Sequence, residues 1–186
     1  MSDILPAEIY QCKRCPELIE CSTRVVIGEW IAPSTSLPLT MGVGRNPGRV
    51  EDREGVPFVG RAGKVLRPFL PPNCYITNLV KHYSPDNRPP TEMEISACRE
   101  WLDWEIQVLR PDLIILFGEE ALQVGGFVKG EWDTMRYDGK RLWLATYHPS
   151  HVARGNKAAG IVLEQGIGRA WKAAMELWEI NNAVQS

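Results

Sequence analysis

The stretch Asp112-Leu-Ile-Ile-Leu-Phe-Gly118 constrains this chain most, because apolar residues run through it without a polar break between Asp112 and Gly118. A strand without alternation is buried on both faces, which happens where helices cover both sides of a parallel sheet. Three more β-rich segments accompany it: Leu37–Gly44, Cys74–Val80 and Arg141–Tyr147. Helical segments separate them. Residues 61–70 follow a glycine turn, and residues 119–127 follow the apolar strand. Residues 90–110 open with Thr91 and Glu94, a capping-box pair, and carry Ile95, Cys98, Leu102, Ile106 and Leu109 at helical spacing. Residues 158–180 supply the last helix. The alternation predicts a three-layer α/β/α fold, with a central, mainly parallel four-stranded sheet and helices on both faces.

At 186 residues, with 44% hydrophobic and 24% charged residues, one domain spanning 1–186 is expected. A net charge of -2 excludes a histone-like or tail-type nucleic-acid binder but leaves room for a local basic face. No apolar run reaches the ~18 residues that span a bilayer, and the N-terminus lacks the pattern of a secretory signal. The expectation is a cytoplasmic monomer that does not engage membranes. In that reducing setting five cysteines do not imply disulfides, and Cys12-Lys-Arg-Cys15 points to metal or redox chemistry.

The segment Met41–Gly63 holds six glycines and the run Gly44-Arg45-Asn46-Pro47-Gly48. It follows the first strand. Asn78 and Lys81–Pro90 follow the second, and His148-Pro-Ser-His151 follows the fourth. Open α/β sheets bind ligands at the carboxyl ends of their strands, so these segments line one expected cleft. Singly each is weak. Asn-Pro-Gly is most often a turn, Phe58 alone would be core, and His-Pro-Ser is more often structural than catalytic.

In this order, however, GRNPGRVEDREGVPFVGRAGKVL, YITNLVKHYSPDNRPPTEMEISACREWL, RPDLIILFGEEAL and TYHPSHVAR resemble the uracil-DNA glycosylase superfamily. The resemblance runs from about Cys12 to Arg154 and is strongest to its iron–sulfur-containing branch, family 4. It implies a monofunctional DNA glycosylase that hydrolyses the N-glycosidic bond of a flipped-out pyrimidine, uracil by default, and leaves an abasic site. Such a reaction needs a base taken out of the stack, an aromatic platform, a reader of its polar edge, a donor to the developing anion at O2 and a held water. Phe58 can stack, Asn78 can match the O4/N3 edge, His148 can donate to O2 and Asn46 can hold the water. The resemblance carries these roles to these positions. Gly44, Arg45 and Gly48 would line the base pocket. Ser150, His151 and Arg154 would hold DNA, and His151 or Val152 would fill the vacated space. The plain reading of His151–Gly160 is a mobile surface loop.

The chain also departs from the pattern. The iron–sulfur branch usually reads Gly-Glu-Ala-Pro-Gly in its first motif. Asn46 is instead like the mismatch-specific uracil/thymine branch, and Arg45 replaces an acid. Gly48 stands where strict branches place a bulky Tyr, which leaves room beside C5 of the base. Cys12, Cys15 and Cys98 match three of four cluster ligands, and His82 takes the fourth place. The resemblance implies a 4Fe–4S cluster on Cys12, Cys15, His82 and Cys98, stapling the N-terminal segment and the loop before the Thr91 helix; a Cys3His zinc site fits the same residues. Cys21 and Cys74 are left over. Two other readings stay open: excision of a hypermodified cytosine from phage DNA, as an antiviral defence, and a relative that binds or covalently traps DNA without cutting it. Trp101, Trp104, Trp171 and Trp178 read as helix packing.

Overall fold

The computed structural model describes residues 4–185. Six strands form one sheet in the order β1-β3-β2-β4-β6-β5, where β1 is Glu29–Ile31, β2 Thr40–Gly44, β3 Cys74–Asn78, β4 Leu113–Phe117, β5 Thr134–Tyr137 and β6 Leu142–Thr146. The four central strands are parallel and coincide with the four expected from sequence. The expected count of four is corrected by β1 and β5, which add antiparallel to β3 and β6 at the two edges. Their residues are half-buried or exposed, so they lack the apolar run that betrays a central strand.

Successive residues of a strand face opposite ways, and here both ways are covered. Met41, Val43, Tyr75, Ile114, Leu116 and Ala145 pack on one face with α4 (Glu92–Leu109) and α5 (Glu119–Leu122). Ile76, Leu113, Ile115, Phe117, Leu142 and Leu144 pack on the other with α3 (Arg61–Leu66) and α7 (Lys157–Gln185). The three layers expected from sequence are therefore present. Helix α4 starts with the anticipated capping box: Thr91 Oγ1 accepts from the Glu94 N–H at 3.2 Å, and Glu94 Oε2 accepts from the Thr91 N–H at 2.6 Å.

Three short helices were not among the elements expected from sequence. They are α1 (Pro16–Cys21), α2 (Arg49–Glu54) inside the glycine-rich stretch, and α6 (Pro149–Ala153) inside HPSHVAR. The plain reading of 151–160 as a mobile loop gives way to the end of α6 and the first turn of α7. Among the described residues no helix is long and apolar enough to cross a membrane.

Candidate active site

Because the four central strands are parallel, their carboxyl ends lie together, and a cleft of about 520 Å³ opens there. Arg45, Asn46, Gly48, Phe58, Asn78, His148, Ser150, His151 and Arg154 all line it. Gly44 lies beneath, paired in register with Asn78 across β2 and β3. A Cβ at Gly44 would collide with the Phe58 ring and stand 2.6 Å from Asn78 Oδ1, so only glycine lets the two side chains sit over this strand end.

Phe58 is buried and packs edge-on against Phe117, with ring centroids 5.9 Å apart. Its centroid lies 6.2 Å from that of the His148 imidazole. Phe58 adopts φ +52, a strained region for a residue with a side chain. Arg67 holds it there: its Nε donates to the Phe58 carbonyl at 2.8 Å and its Nη2 to the Pro57 carbonyl at 2.9 Å. Arg67 also pairs with Glu29 on β1, so an edge strand missed in the sequence supports the platform.

His148 caps α6, and its Nδ1 accepts the Ser150 N–H at 3.1 Å. The proton of the neutral ring is thereby assigned to Nε2, which is left as a donor. Burial, then the positive charges of Arg45, His151 and Arg154, lower the His148 pKa to about 3. The imidazole is neutral at ordinary pH. The neighbouring residues divide: His151 is exposed at the mouth, whereas Val152 packs inward on the α7 side of the sheet.

Asn46 is held on every side. Its Nδ2 donates to Ser84 Oγ at 2.9 Å and to the Pro47 carbonyl at 3.1 Å, and its Oδ1 accepts from Arg45 Nε at 2.7 Å. Both amide hydrogens are used, and what Asn46 still offers is the second lone pair of Oδ1. Arg45 reaches on to the Asn87 carbonyl at 3.1 Å and to Glu120 Oε1 at 3.5 Å.

The space expected beside Gly48 is taken. A Cβ there would stand 2.7 Å from Glu51 Oε2. Glu51, on α2, is buried in the cleft wall, and its Oε1 accepts the Gly60 N–H at 2.6 Å. A carboxylate therefore forms the wall where the sequence alone suggested an opening. Glu51, Asn87 and Trp132 also line the cleft and went unnoticed in the sequence. For Glu51 the signal was a short helix masked by flanking glycines. For Trp132 no local pattern exists. Exposed Arg49, Arg61 and Arg154 line the cleft, and two acids that share it, Glu119 and Glu120, are paired with Lys129 and Arg45, which leaves a local positive excess on a chain of net charge -2.

The Uracil DNA glycosylase superfamily matches residues 38–175 of this chain. The chain belongs to that superfamily. It is thus a DNA glycosylase, a hydrolase of N-glycosyl bonds. It is 33% identical to a type-4 uracil-DNA glycosylase of Thermotoga maritima over 88% of this chain and 90% of the relative. It is 34% identical to one of Saccharolobus solfataricus over 92% and 85%, and 33% identical to one of Archaeoglobus fulgidus over 81% and 82%.

A second, tight cavity of this glycosylase lies on the α4 side of the sheet. Cys12, Cys15, His82 and Cys98 line it together with Lys81 and Trp101. Burial opposes ionisation of Cys12, but the Arg14 backbone N–H and guanidinium and the Trp101 indole hold its thiol below the ordinary value. Burial pushes Cys98 up to about 11. Trp101 Nε1 is buried without a hydrogen-bond partner of good geometry. Among the described residues no group of three Cys, His, Asp or Glu is arranged to hold a single metal ion. Cys21 lies outside this cavity, and its Sγ donates to the Leu18 and Tyr83 carbonyls. Cys74 is buried in β3, where burial pushes its thiol up to about 12.

Between cleft and cavity stands a buried ion pair. Lys81 Nζ donates to Glu105 Oε2, Thr77 Oγ1 and the Asn78 carbonyl, each at 2.7 Å, so its three hydrogens are all placed. Glu105 also accepts from the Tyr75 hydroxyl at 2.9 Å.

Proposed function

We propose that this glycosylase removes uracil from DNA by hydrolysis, with the pyrimidine extruded into the cleft. The observation that carries this reading is the meeting of Phe58, Asn78, His148 and Asn46 in one hollow. Phe58 stacks on the flipped base. Asn78 reads its O4/N3 edge with one donor and one acceptor. As the glycosidic bond breaks, negative charge collects on the base, and the neutral His148 donates from Nε2 to O2, where charge grows. Asn46 accepts a hydrogen of the attacking water through the free lone pair of Oδ1. Arg45 gives that amide its orientation. Gly48 and the Glu51 carboxylate form the wall beside C5, which weighs against a large apolar substituent there. Ser150, His151 and Arg154 hold the flanking DNA backbone.

The second cavity supports a 4Fe–4S cluster. Three thiols and an imidazole line it, Trp101 brings an indole N–H that lacks a full hydrogen bond, and Arg14 brings a cation. A single zinc would need its four donors within ~2.0–2.3 Å of one point, whereas each corner of a cluster takes one ligand, which suits a wider set. Cys12, Cys15, His82 and Cys98 would hold it, tying the N-terminal segment to α4. When bound it supplies cross-linking of these segments, and the hydrolysis takes place in the other cavity.

The test is mass detection of free base released from a uracil-containing oligonucleotide, with Asn46→Ala and His148→Ala beside the wild type. Release by the wild type and loss in both variants is expected. An unchanged rate in both variants overturns the assignment.

A further inference from the structure

The cleft does not end where one pyrimidine would. Its lining also includes Trp132, which lies just before β5 and outside the four motifs of the sequence. The Trp132 indole stacks on the Tyr147 ring, with centroids 4.8 Å apart and planes at 23°. Tyr147 in turn lies 5.9 Å from the His151 ring. Trp132 and His151 thus line the cleft, and the Tyr147 ring links them from behind, next to His148 in the chain.

The platform is fixed in place. Asp133 turns the chain with φ +61, and its N–H donates to the Ala145 carbonyl at 2.8 Å, so the residue after Trp132 is pinned to β6. The acids on either side are neutralised: Glu131 pairs with Arg136 at 2.6 Å, and Asp133 pairs with Arg169. A tryptophan flanked by two free carboxylates would repel a phosphodiester chain. One flanked by two ion pairs does not. A half-buried indole already ordered against a tyrosine also loses little rotamer freedom when it receives another ring.

We infer that Trp132, backed by Tyr147 and His151, is a second nucleobase subsite, which stacks on the base next to the extruded one. The inference rests on the glycosylase reading above and extends it from one nucleotide to two. Stacking is blind to base identity, since every base has a π-face. The subsite therefore adds affinity for an unpaired or locally opened strand without adding sequence preference.

The experiment uses the full chain and oligonucleotides carrying the non-hydrolysable analogue 2′-fluoro-2′-deoxyuridine, with each neighbouring base replaced in turn by an abasic spacer. For the wild type, removing one of the two neighbouring bases weakens binding by about tenfold, within the range for one base–aromatic stack. Trp132→Ala weakens binding of the complete probe by about tenfold and is insensitive to the spacer, whereas Trp132→Phe keeps most of the affinity. If neither spacer affects the wild type, or if Trp132→Ala loses the same factor with and without the spacer, the subsite does not exist. The wild-type spacer series decides the matter even if Trp132→Ala fails to fold. Failure of the wild type to release uracil from an ordinary substrate would instead sink the glycosylase reading on which this rests.

Discussion

Arg67 Nε donates to the Phe58 carbonyl at 2.8 Å, across a backbone that holds Phe58 at positive φ. Strain of this kind persists only where the surroundings impose it, at a cost of about 1–3 kcal/mol. Arg67→Ala removes the restraint, and Phe58 relaxes away from the cleft floor. The expected result is a fall of about tenfold in single-turnover rate with uracil DNA and a melting temperature lower by a few degrees. Steady binding of DNA outside the pocket should survive, which a filter or anisotropy assay on undamaged DNA would show.

His148→Ala should cut the rate by about 10²–10³, the scale of one lost donor to a developing anion. Since burial and nearby cations lower the His148 pKa from the usual 6.5 to about 3, the wild-type rate should show no acid limb from this residue between pH 5 and 8. Stability behaves differently. Below 6.5 the unfolded chain binds a proton that the folded chain refuses until about 3, so folding weakens as pH falls through that window, by on the order of a few kcal/mol. His148→Gln should lose that part of the acid sensitivity in urea melts at pH 4 and pH 7.

A methyl group at Gly48 would stand 2.7 Å from Glu51 Oε2 and push the carboxylate off the Gly60 N–H. Gly48→Ala should therefore lower activity on uracil, contrary to what an empty wall predicts. The pair Gly48→Ala with Glu51→Ala should recover part of the loss and accept 5-substituted uracils better than the wild type does. Kinetics on uracil and 5-hydroxymethyluracil substrates give both comparisons.

Lys81→Met leaves Glu105 charged and fully buried, a change that costs about 3–5 kcal/mol. Lys81→Met combined with Glu105→Leu removes both charges and should be far less destabilising, because a buried pair replaced by apolar groups is often near neutral. Chemical denaturation of the wild type and these two variants separates the outcomes.

If Cys12, Cys15, His82 and Cys98 hold a cluster, protein purified without oxygen should be brown and absorb in the visible. Cys98→Ser should bleach it and lower the melting temperature, while His82→Cys should keep it. Metal analysis finding zinc instead would replace the cluster assignment.

The parallel heart of the fold was readable because β4 and its neighbours are apolar on both faces, a pattern with few other uses. The placement of Phe58, Asn78 and His148 was readable because strand ends in such sheets share one side. Gly48 shows the limit. Its empty side chain looked like space, but Glu51 arrives from a helix three residues on, and only packing reveals that. The edge strands escaped for a similar reason: Glu29–Ile31 and Thr134–Tyr137 are strands by pairing rather than by composition. Trp132 joins the cleft from a connection with no motif, brought there by its stack on Tyr147.

The shared direction of β2, β3, β4 and β6 has a practical side. The cleft segments that follow these strands leave the sheet at one pole, so the turns feeding the strands occupy the opposite pole. The exposed bend at Asp138–Lys140 before β6 is one of them. A dye or bead attached at Lys140, exposed in that bend, would leave the cleft-bearing pole pointing outward and unobstructed.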